Sequence, residues 1–238
     1  MNAKITHKYL KENNNVTISI QTLIKVYKEL RKIIYKYMKI LNESEPISVK
    51  NKKEFFSMDE SFINHKNGRQ IWLLGVINNQ TKEFRIEGTF NRDSSPIAKF
   101  IEIYIEKGNT IVSDMWGGYH FLDAANSGYT HISHNHHNGI FGTGLHWTTH
   151  IEAIWNIIKS KIKNMYYVIP NKHFLQFVRE AEYRFKIRDK SQVEKVKDFF
   201  ECYELILNVS DVEFPKNGFI SDSDNLNENE VSDDDLEE

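Results

Sequence analysis

The sequence lacks the features that mark secreted and membrane proteins. It has 238 residues and a single cysteine, Cys202, which excludes a disulfide framework and a zinc ribbon built from several cysteines. No apolar run approaches the roughly 20 residues of a membrane-spanning helix, and the opening residues MNAKITHKYLKENNN lack the apolar core of a signal peptide. These absences predict a protein of an intracellular, reducing compartment.

Acidic residues are scarce outside one C-terminal run. Residues 221–238 carry nine acidic and no basic side chains, so 24 of the 33 acidic residues remain against all 31 basic ones. The rest of the chain therefore has a net charge of +7, which favours a polyanionic partner. The acidic run itself is too polar to bury a core, and residues 211–238 are predicted to be a disordered acidic tail.

What the sequence has is aromatic residues and a clear order of elements. A helix is predicted over residues 20–41, and three strands from EFFSMDESF and RQIWLLGVINNQTKEFRIEGTF. A helix, a strand, a short helix, a fifth strand and a glycine-bearing loop follow, and three helices end the pattern. Three antiparallel strands with two parallel additions indicate an α/β, ribonuclease H-like fold, a five-stranded mixed sheet flanked by helices.

The stretch HWTTHIEAIWNIIKSKIK predicts an amphipathic helix in which a carboxylate borders the apolar face. Its apolar stripe consists of Ile151, Ile154, Trp155, Ile158 and Ile162. The neighbouring polar stripe consists of Glu152, Asn156, Lys159 and Lys163. The simplest interpretation of the polar stripe alone is a solvated helix face.

Two aspartates favour a chemical role for Glu152. Asp59 is predicted at the end of the first strand and Asp114 at the end of the fourth, and these strands are neighbours in the proposed sheet. Three carboxylates that converge require a cation between them, and oxygen ligands suit Mg²⁺ or Mn²⁺. Taken singly, Asp59 with Glu60 could be a solvated strand-end pair, and Asp114 could belong to a turn.

Four segments in order resemble the DDE transposase domain of ISXO-type insertion sequences and their Merlin relatives. They are SMDESF, IVSDMWGGYHFL, GYTHISHNHHNGIFGTGLHWTTHIEAIWNIIKSKIK and EAEYRFK. The resemblance covers roughly residues 55–188, and LIKVYKELRKIIYKYM is similar to the helical segment that precedes the catalytic domain. It implies a helical segment at 1–48, a catalytic domain at 53–190, a C-terminal helix at 191–210 and the tail.

The resemblance also implies a site and a reaction. Asp59, Asp114 and Glu152 correspond to the triad that holds two Mg²⁺ or Mn²⁺ ions, and Lys159 to a catalytic lysine that contacts DNA phosphate or the cleaved end. The implied activity is metal-dependent cleavage of double-stranded DNA and strand transfer. The residues expected to bind DNA are Lys159, Lys163, His150, Arg184, Lys25, Lys28 and Lys32.

Departures from the family pattern leave alternatives. The family commonly has an N-terminal zinc ribbon and the start of a helix-turn-helix, and this sequence shows neither. A domesticated, non-catalytic DNA-binding or scaffold protein and a simple metal-dependent nuclease therefore stand beside the transposase. The expected partners are transposon-end and target DNA, with a homodimer as a further option, and the expected location in a eukaryote is the nucleus.

Two further features allow more than one interpretation. The stretch HISHNHHN could bind metal or phosphate, or be a polar surface loop, and His134 in its predicted strand points to the same sheet edge as the aspartates. The last helix carries an apolar stripe that is expected to cover the catalytic domain or an oligomer partner. The stripe consists of Val193, Val196, Phe200, Tyr203 and Leu207.

Overall fold

The protein is represented by a computed structural model that describes part of the chain. The described residues are 3–14, 16–44, 47, 55–66, 69–135, 142–143, 146–165 and 174–208. The predicted acidic tail at 211–238 and most of the predicted glycine-bearing loop lie outside these residues. Within the described part, no helix is both long and apolar enough to cross a membrane.

Five of the described strands form one mixed sheet. They are β1 (Phe56–Lys66), β2 (Arg69–Asn78), β3 (Phe84–Thr89), β4 (Thr110–Asp114) and β5 (Thr130–His134). Their order is β3-β2-β1-β4-β5, with β1, β2 and β3 antiparallel and β4 and β5 parallel to β1. This topology confirms the predicted ribonuclease H-like fold. A two-strand ribbon, which the sequence did not predict, consists of β6 (Gly142–Thr143) and β7 (His146–Trp147).

The turn between β2 and β3 forms where the asparagine pair predicts a hairpin. The side-chain Oδ1 of Asn78 accepts hydrogen bonds from the backbone N–H groups of Gln80 (2.8 Å) and Thr81 (3.0 Å). Lys82 then takes a left-handed conformation with φ 61°, and its N–H donates to the carbonyl of Asn78 at 3.0 Å. The turn therefore fixes Lys82 at the end of the sheet.

Strand β1 is longer than the sequence predicts. It continues through the polar residues 64–66, because they pair with the start of β2 beyond an irregularity between Phe62 and Asn64. Asp59 therefore lies inside β1, and the expectation that it ends the strand is wrong. The described pairing with the shorter β4, however, joins only Phe56 to Ile111 and Ser57 to Val112, so Asp59 lies just beyond that pairing.

Six α-helices and one 3-10 helix complete the described part. They are α1 (Ala3–Asn14), α2 (Ile20–Ser44), α3 (Ser94–Tyr104), a 3-10 helix (Gly117–Asp123), α4 (Thr149–Met165), α5 (Phe174–Lys186) and α6 (Gln192–Asn208). Helix α1 was not predicted, because its sequence is largely polar and it buries no residue. The other helices lie where the sequence places them.

Both faces of the sheet are covered by apolar clusters. On one face, β2 and β3 pack against α4 and α5, and this cluster includes Leu73, Ile77, Ile86, Ile151, Ile154, Trp155, Ile158, Phe174 and Val178. On the other face, β1 and β2 pack against α3 and the 3-10 helix, in a cluster that includes Phe56, Met58, Val76, Ile97, Phe100, Ile101 and Tyr119. The apolar stripe of α4 is therefore core, as predicted for its described side chains.

Helices α2, α5 and α6 form a further layer with its own apolar cluster. This cluster contains Ile34, Met38, Tyr183, Ile187 and Cys202. An ion pair also joins α2 to α5: Glu180 accepts hydrogen bonds from Arg31 Nε of α2 at 2.8 Å and from Arg184 Nη2 of its own helix at 2.6 Å. The buried Arg179 connects this layer to the edge strand β3, since it donates to the carbonyl of Ile86 and forms an ion pair with Glu87.

Candidate metal centre and nucleic-acid interface

Asp59 and Asp114 come together because β1 and β4 run side by side. Phe56 pairs with Ile111 and Ser57 with Val112, so the same offset places Asp59 level with Asp114. The ligand atoms of Asp59, Glu60 and Asp114 all lie within 4.8 Å of one another. The backbone N–H of Trp116 donates to Asp114 Oδ1 at 3.0 Å, which orients this carboxylate.

Within this acidic cluster, defined as Asp59, Glu60 and Asp114, the charge of Asp59 is poorly compensated. Burial, followed by the charges of Glu60 and Asp114, raises the pKa of Asp59 from 3.8 to about 7. Three oxygen-donor side chains that repel one another at this distance are a suitable environment for a hard divalent cation. The donor set therefore fits Mg²⁺ or Mn²⁺.

Glu60 has its own partners, which set it apart from the two aspartates. Tyr119 Oη donates to Glu60 Oε2 at 2.5 Å, and Arg92 Nε donates to Glu60 Oε1 at 2.7 Å. Burial raises the pKa of Glu60, and the hydrogen bonds from Tyr119 and Arg92 offset this only in part. The interpretation of Asp59 and Glu60 as a solvated strand-end pair is therefore wrong, since Glu60 is buried.

Arg92 is held between two indole rings. Its guanidinium carbon lies 4.2 Å from the ring centroid of Trp116 and 4.8 Å from that of Trp72. Trp116 is half-buried and packs against the apolar cluster around α3. A cation stacked on two aromatic faces loses little side-chain freedom when it binds a carboxylate, so the two rings hold Arg92 in position to bind Glu60.

Helix α4 reaches the acidic cluster through Trp155. The indole Nε1 of Trp155 donates to Asp59 Oδ2 at 3.0 Å. Gly75, which pairs with Asp59 across β1 and β2, makes room for the ring, because a Cβ at Gly75 would lie 2.6 Å from Trp155. The described part of α4 is thus locked to the strand that carries Asp59.

Glu152 lies on the same helix, one turn before Trp155. It is half-buried, and Thr148 Oγ1 donates to its Oε1 at 3.2 Å. Among the described residues, the group of carboxylates within 4.8 Å of one another contains Glu60 and does not contain Glu152. The structure thus brings two of the three predicted metal ligands together and places the third on the adjoining helix. Lys159 is half-buried on α4, two turns after Glu152.

The sequence matches a known family of transposase domains. The model of the ISXO2-like transposase domain matches residues 26–186, more than half of the chain. The protein belongs to the ISXO2-like transposase domain family. The resemblance found in the sequence is therefore confirmed.

Other comparisons are more distant, and no curated protein matches the sequence. A chain in the structure of the simian T-cell lymphotropic virus intasome with PP2A regulatory subunit B56 gamma is 12% identical with a TM-score of 0.42, covering 59% of this chain and 50% of that chain. This protein therefore spans about half of that chain. The HTLV-2 integrase catalytic core domain with magnesium, in its dimeric form, is 11% identical with a TM-score of 0.36, covering 55% of this chain and 82% of that chain.

In this ISXO2-like domain, His150 belongs to a basic group at the start of α4. His150 Nε2 lies 3.3 Å from Lys82 Nζ, which the β2–β3 turn supplies. Burial and the Lys82 charge lower the pKa of His150, and burial and the Arg188 charge lower the pKa of Lys82. Sequence reasoning did not select Lys82, because its position depends on the hairpin turn.

The remaining residues predicted to bind DNA have different settings. Arg184 forms an ion pair with Glu180, and Lys32 with Glu29. Lys25 is exposed on α2, and Lys28 on the same helix is half-buried. Lys163 belongs to α4, but its side chain lies outside the described part of the chain.

The histidines do not form one group among the described residues. His131 Nε2 lies 2.9 Å from Ser113 Oγ, and its Nδ1 lies 2.7 Å from Asp123 Oδ1. His134 is buried and pairs in register with Asp114, at the sheet edge where its alternation with Ile132 places it. His136 and His137 lie outside the described residues.

Sequence reasoning missed the residues that support the carboxylates. Glu60 was considered only as a solvated neighbour of Asp59, and Arg92 was not considered. The signal for Arg92 and Tyr119 is weak, because each lies beyond a strand end and reaches Glu60 only through the fold. Trp155 was assigned to the core, and its indole N–H gives it a second contact that periodicity does not reveal.

Proposed function

We propose that the chain is the catalytic domain of a DDE transposase that cleaves DNA strands and transfers them to a target. The observation that carries the proposal is the pair Asp59 and Asp114, held level on neighbouring parallel strands within a matched transposase domain. The catalytic domain is assigned to residues 53–190. The segments 1–48 and 191–210 supply appended helices.

The proposed cofactor is a pair of Mg²⁺ or Mn²⁺ ions. Asp59, Asp114 and Glu152 are the proposed ligands, and Glu60, within 4.8 Å of the two aspartates, adds to the negative potential. When bound, such ions stabilise the charge on the attacking and leaving oxygens of a phosphoryl displacement. The poorly compensated charge of Asp59 supports this assignment, because a cation relieves its repulsion by Glu60 and Asp114.

The other side chains are proposed to orient the carboxylates and to contact the DNA. Trp155 holds the Asp59 carboxylate in one orientation through its indole N–H, while Arg92 and Tyr119 hold Glu60. Lys159 on α4 is proposed to contact the phosphate next to the cleaved bond. Cleavage leaves a 3′ hydroxyl that attacks target DNA, and no covalent enzyme intermediate forms.

Basic residues outside the acidic cluster are proposed to bind the DNA backbone. Lys82 and His150 lie side by side, and both have lowered pKa values that a bound phosphate would raise. Lys163, Arg184, Lys25, Lys28 and Lys32 are proposed to extend this contact along the duplex. An enzyme of this kind works where the chromosomal DNA is, which is the nucleus in a eukaryote.

The test is metal-dependent nicking of supercoiled plasmid by the wild type and by Asp114→Ala. Wild type is expected to nick in Mg²⁺ or Mn²⁺ and the variant is not, while Glu102→Ala, an exposed carboxylate on α3, serves as the matched control. Unchanged nicking by Asp114→Ala would remove the assignment of the site. DNA binding without cleavage would indicate a domesticated DNA-binding protein.

Strand transfer separates the transposase from a simple nuclease. A labelled duplex with a preformed 3′ hydroxyl end is expected to join to target plasmid in the presence of metal. Cleavage without any joined product, across a panel of end sequences, would favour the nuclease.

A further inference from the structure

Helix α6 exposes an apolar stripe with the spacing of a coiled-coil seam. The stripe consists of Val193, Val196, Phe200, Tyr203 and Leu207, which follow one another at intervals of three and four residues. These side chains are 79%, 57%, 59%, 41% and 65% exposed. One expectation from the sequence, that this stripe covers the catalytic domain, is therefore wrong.

A different side of α6 attaches the helix to the protein. Cys202 is buried in the apolar cluster with Met38 and Tyr183, and Phe199 packs against that cluster. The buried Asp198 accepts a hydrogen bond from Lys190. Because α6 is already anchored on this side, the exposed stripe is a second apolar face.

We propose that the stripe binds the same stripe of a second copy of this chain, with the two α6 helices antiparallel. Apolar residues that alternate at three and four positions are the pattern by which one helix packs against another. The stripe spans 14 residue steps, or roughly 21 Å along the helix. Phe200 lies at its centre, so a two-fold axis there places Val193 of each copy opposite Leu207 of the other.

The charges beside the stripe select a second copy as the partner. Lys197 and Glu204 lie on the same exposed flank, one in each half of the helix. A two-fold axis near Phe200 brings each Lys197 beside the Glu204 of the other copy, so both pairs form at once. Among the described residues, the ion pair of Lys197 within its own chain is a distant one with Glu201, at 4.0 Å with both side chains largely exposed.

The other flank explains why the helices run antiparallel. Phe199 and Ile206 lie there and are half-buried, and Phe199 packs against the cluster that contains Cys202. In a parallel pair, the flank with Lys197 and Glu204 would face the flank of the other copy that carries Phe199 and Ile206. In an antiparallel pair, each flank faces the same flank of the other copy. The antiparallel arrangement is therefore the one that pairs every exposed charge beside the seam.

This surface lies outside the matched transposase domain, whose match ends at residue 186, and the dimer does not depend on catalytic activity.

Sedimentation equilibrium of the full chain at up to roughly 50 µM is expected to show a reversible dimer. Phe200→Glu is expected to weaken the dimer at least about tenfold. Leu205→Glu is the matched control, since Leu205 is an exposed apolar residue of α6 away from the stripe.

Charge reversal tests the partner and its direction. Lys197→Glu and Glu204→Lys are each expected to weaken the dimer, and the double variant is expected to restore it. Disulfide cross-linking through cysteines introduced at positions 193 and 207 tests the direction of the helices independently. The native Cys202 is buried and contributes little background to this measurement. Val193→Cys mixed with Leu207→Cys is expected to form a disulfide between the two variants, and neither variant is expected to cross-link alone.

Three results would overturn the proposal. A wild type that stays monomeric at every concentration would do so, as would a dimer that Phe200→Glu leaves intact and Leu205→Glu disrupts. A monomer that dimerises only after residues 209–238 are removed would show that this chain's own C-terminal segment occupies the stripe. Circular dichroism of each variant establishes that a lost dimer does not reflect a lost fold.

Discussion

At the scale of single residues, Asp59 and Glu60 are neighbours in sequence with opposite surroundings. Asp59 receives neutral hydrogen bonds, from the indole of Trp155 and from the backbone N–H of Glu60, whereas Glu60 is bound by Arg92 and Tyr119. Successive residues of a strand face opposite sides of the sheet, so the α4 side supplies partners for one and the α3 side for the other. Asp59 therefore carries the less compensated charge.

The raised pKa of Asp59 predicts how metal binding depends on pH. Because the pKa is about 7 in the folded protein against 3.8 for an ordinary aspartate, the charged form destabilises the metal-free fold progressively as pH rises from about 4 to 7. A cation must displace the proton, so Mn²⁺ affinity is expected to increase about tenfold between pH 6 and pH 8. Isothermal calorimetry measures this dependence.

Asp59→Asn is the matching variant, since an amide oxygen can still accept the Trp155 hydrogen bond. It is expected to abolish most Mn²⁺ binding and to raise the melting temperature of the metal-free protein at pH 8. Equal affinity at both pH values in the wild type, or unchanged binding by Asp59→Asn, would contradict the assignment of Asp59 as a ligand.

The contact between Arg92 and Glu60 predicts a measurable coupling energy between the two side chains. Arg92→Ala leaves the buried Glu60 without its cation and is expected to lower the free energy of unfolding by about 2 kcal/mol, a value reduced because Arg92 is partly exposed. Urea denaturation of Arg92→Ala, Glu60→Gln and the double variant gives the coupling energy. A coupling energy near zero would show that the pair does not stabilise the fold.

At the scale of elements, the position of α4 depends on one close approach to β2. Gly75→Ala would place a Cβ 2.6 Å from the Trp155 ring, so the helix must shift or the indole must turn. The expected cost is about 1–3 kcal/mol, together with weaker Mn²⁺ binding, because Trp155 also orients Asp59. Gly117→Ala is the control, since its Cβ would meet nothing closer than 3.7 Å. Equal effects of the two changes on metal binding would contradict this role for α4.

The elements also show which parts of the fold the sequence could predict. The five strands and the stripe Ile151, Ile154, Trp155 and Ile158 follow from apolar periodicity, which burial directly imposes. The length of β1 does not follow from it, because the polar end of the strand is held by pairing with β2, which apolar periodicity does not reveal. The contacts of Glu60 with Arg92 and Tyr119 were missed for a similar reason, since they join residues about 30 and 60 positions apart.

At the scale of the whole molecule, the helical layer of α2, α5 and α6 is joined to the sheet by buried charge as well as apolar packing. Arg179 binds Glu87, Glu182 and the carbonyl of Ile86, and Tyr104 of α3 also donates to Glu87 at 2.6 Å. One guanidinium thus ties α5 to the edge strand β3. Because these groups are buried, the layer and the sheet are expected to unfold together.

This arrangement predicts unequal effects of two changes near the N-terminus. Deletion of residues 1–14 removes α1, which buries no residue, and is expected to change the free energy of unfolding by less than about 1 kcal/mol. Met38→Ala in α2, where Met38 is 1% exposed, is expected to cost about 3 kcal/mol. Chemical denaturation compares them, and a larger effect of the deletion would contradict this assignment of the core.

The hydrogen bond from Trp155 to Asp59 also gives the molecule an optical property. The emission of a tryptophan depends on the electric field across its ring, and here a carboxylate accepts the hydrogen bond of a buried indole. A proton or a cation that takes up the charge of Asp59 changes that field directly. The intrinsic fluorescence of Trp155 should therefore report the ionisation and metal binding of Asp59 without any added label, and replacement of Trp155 by Phe should remove that signal.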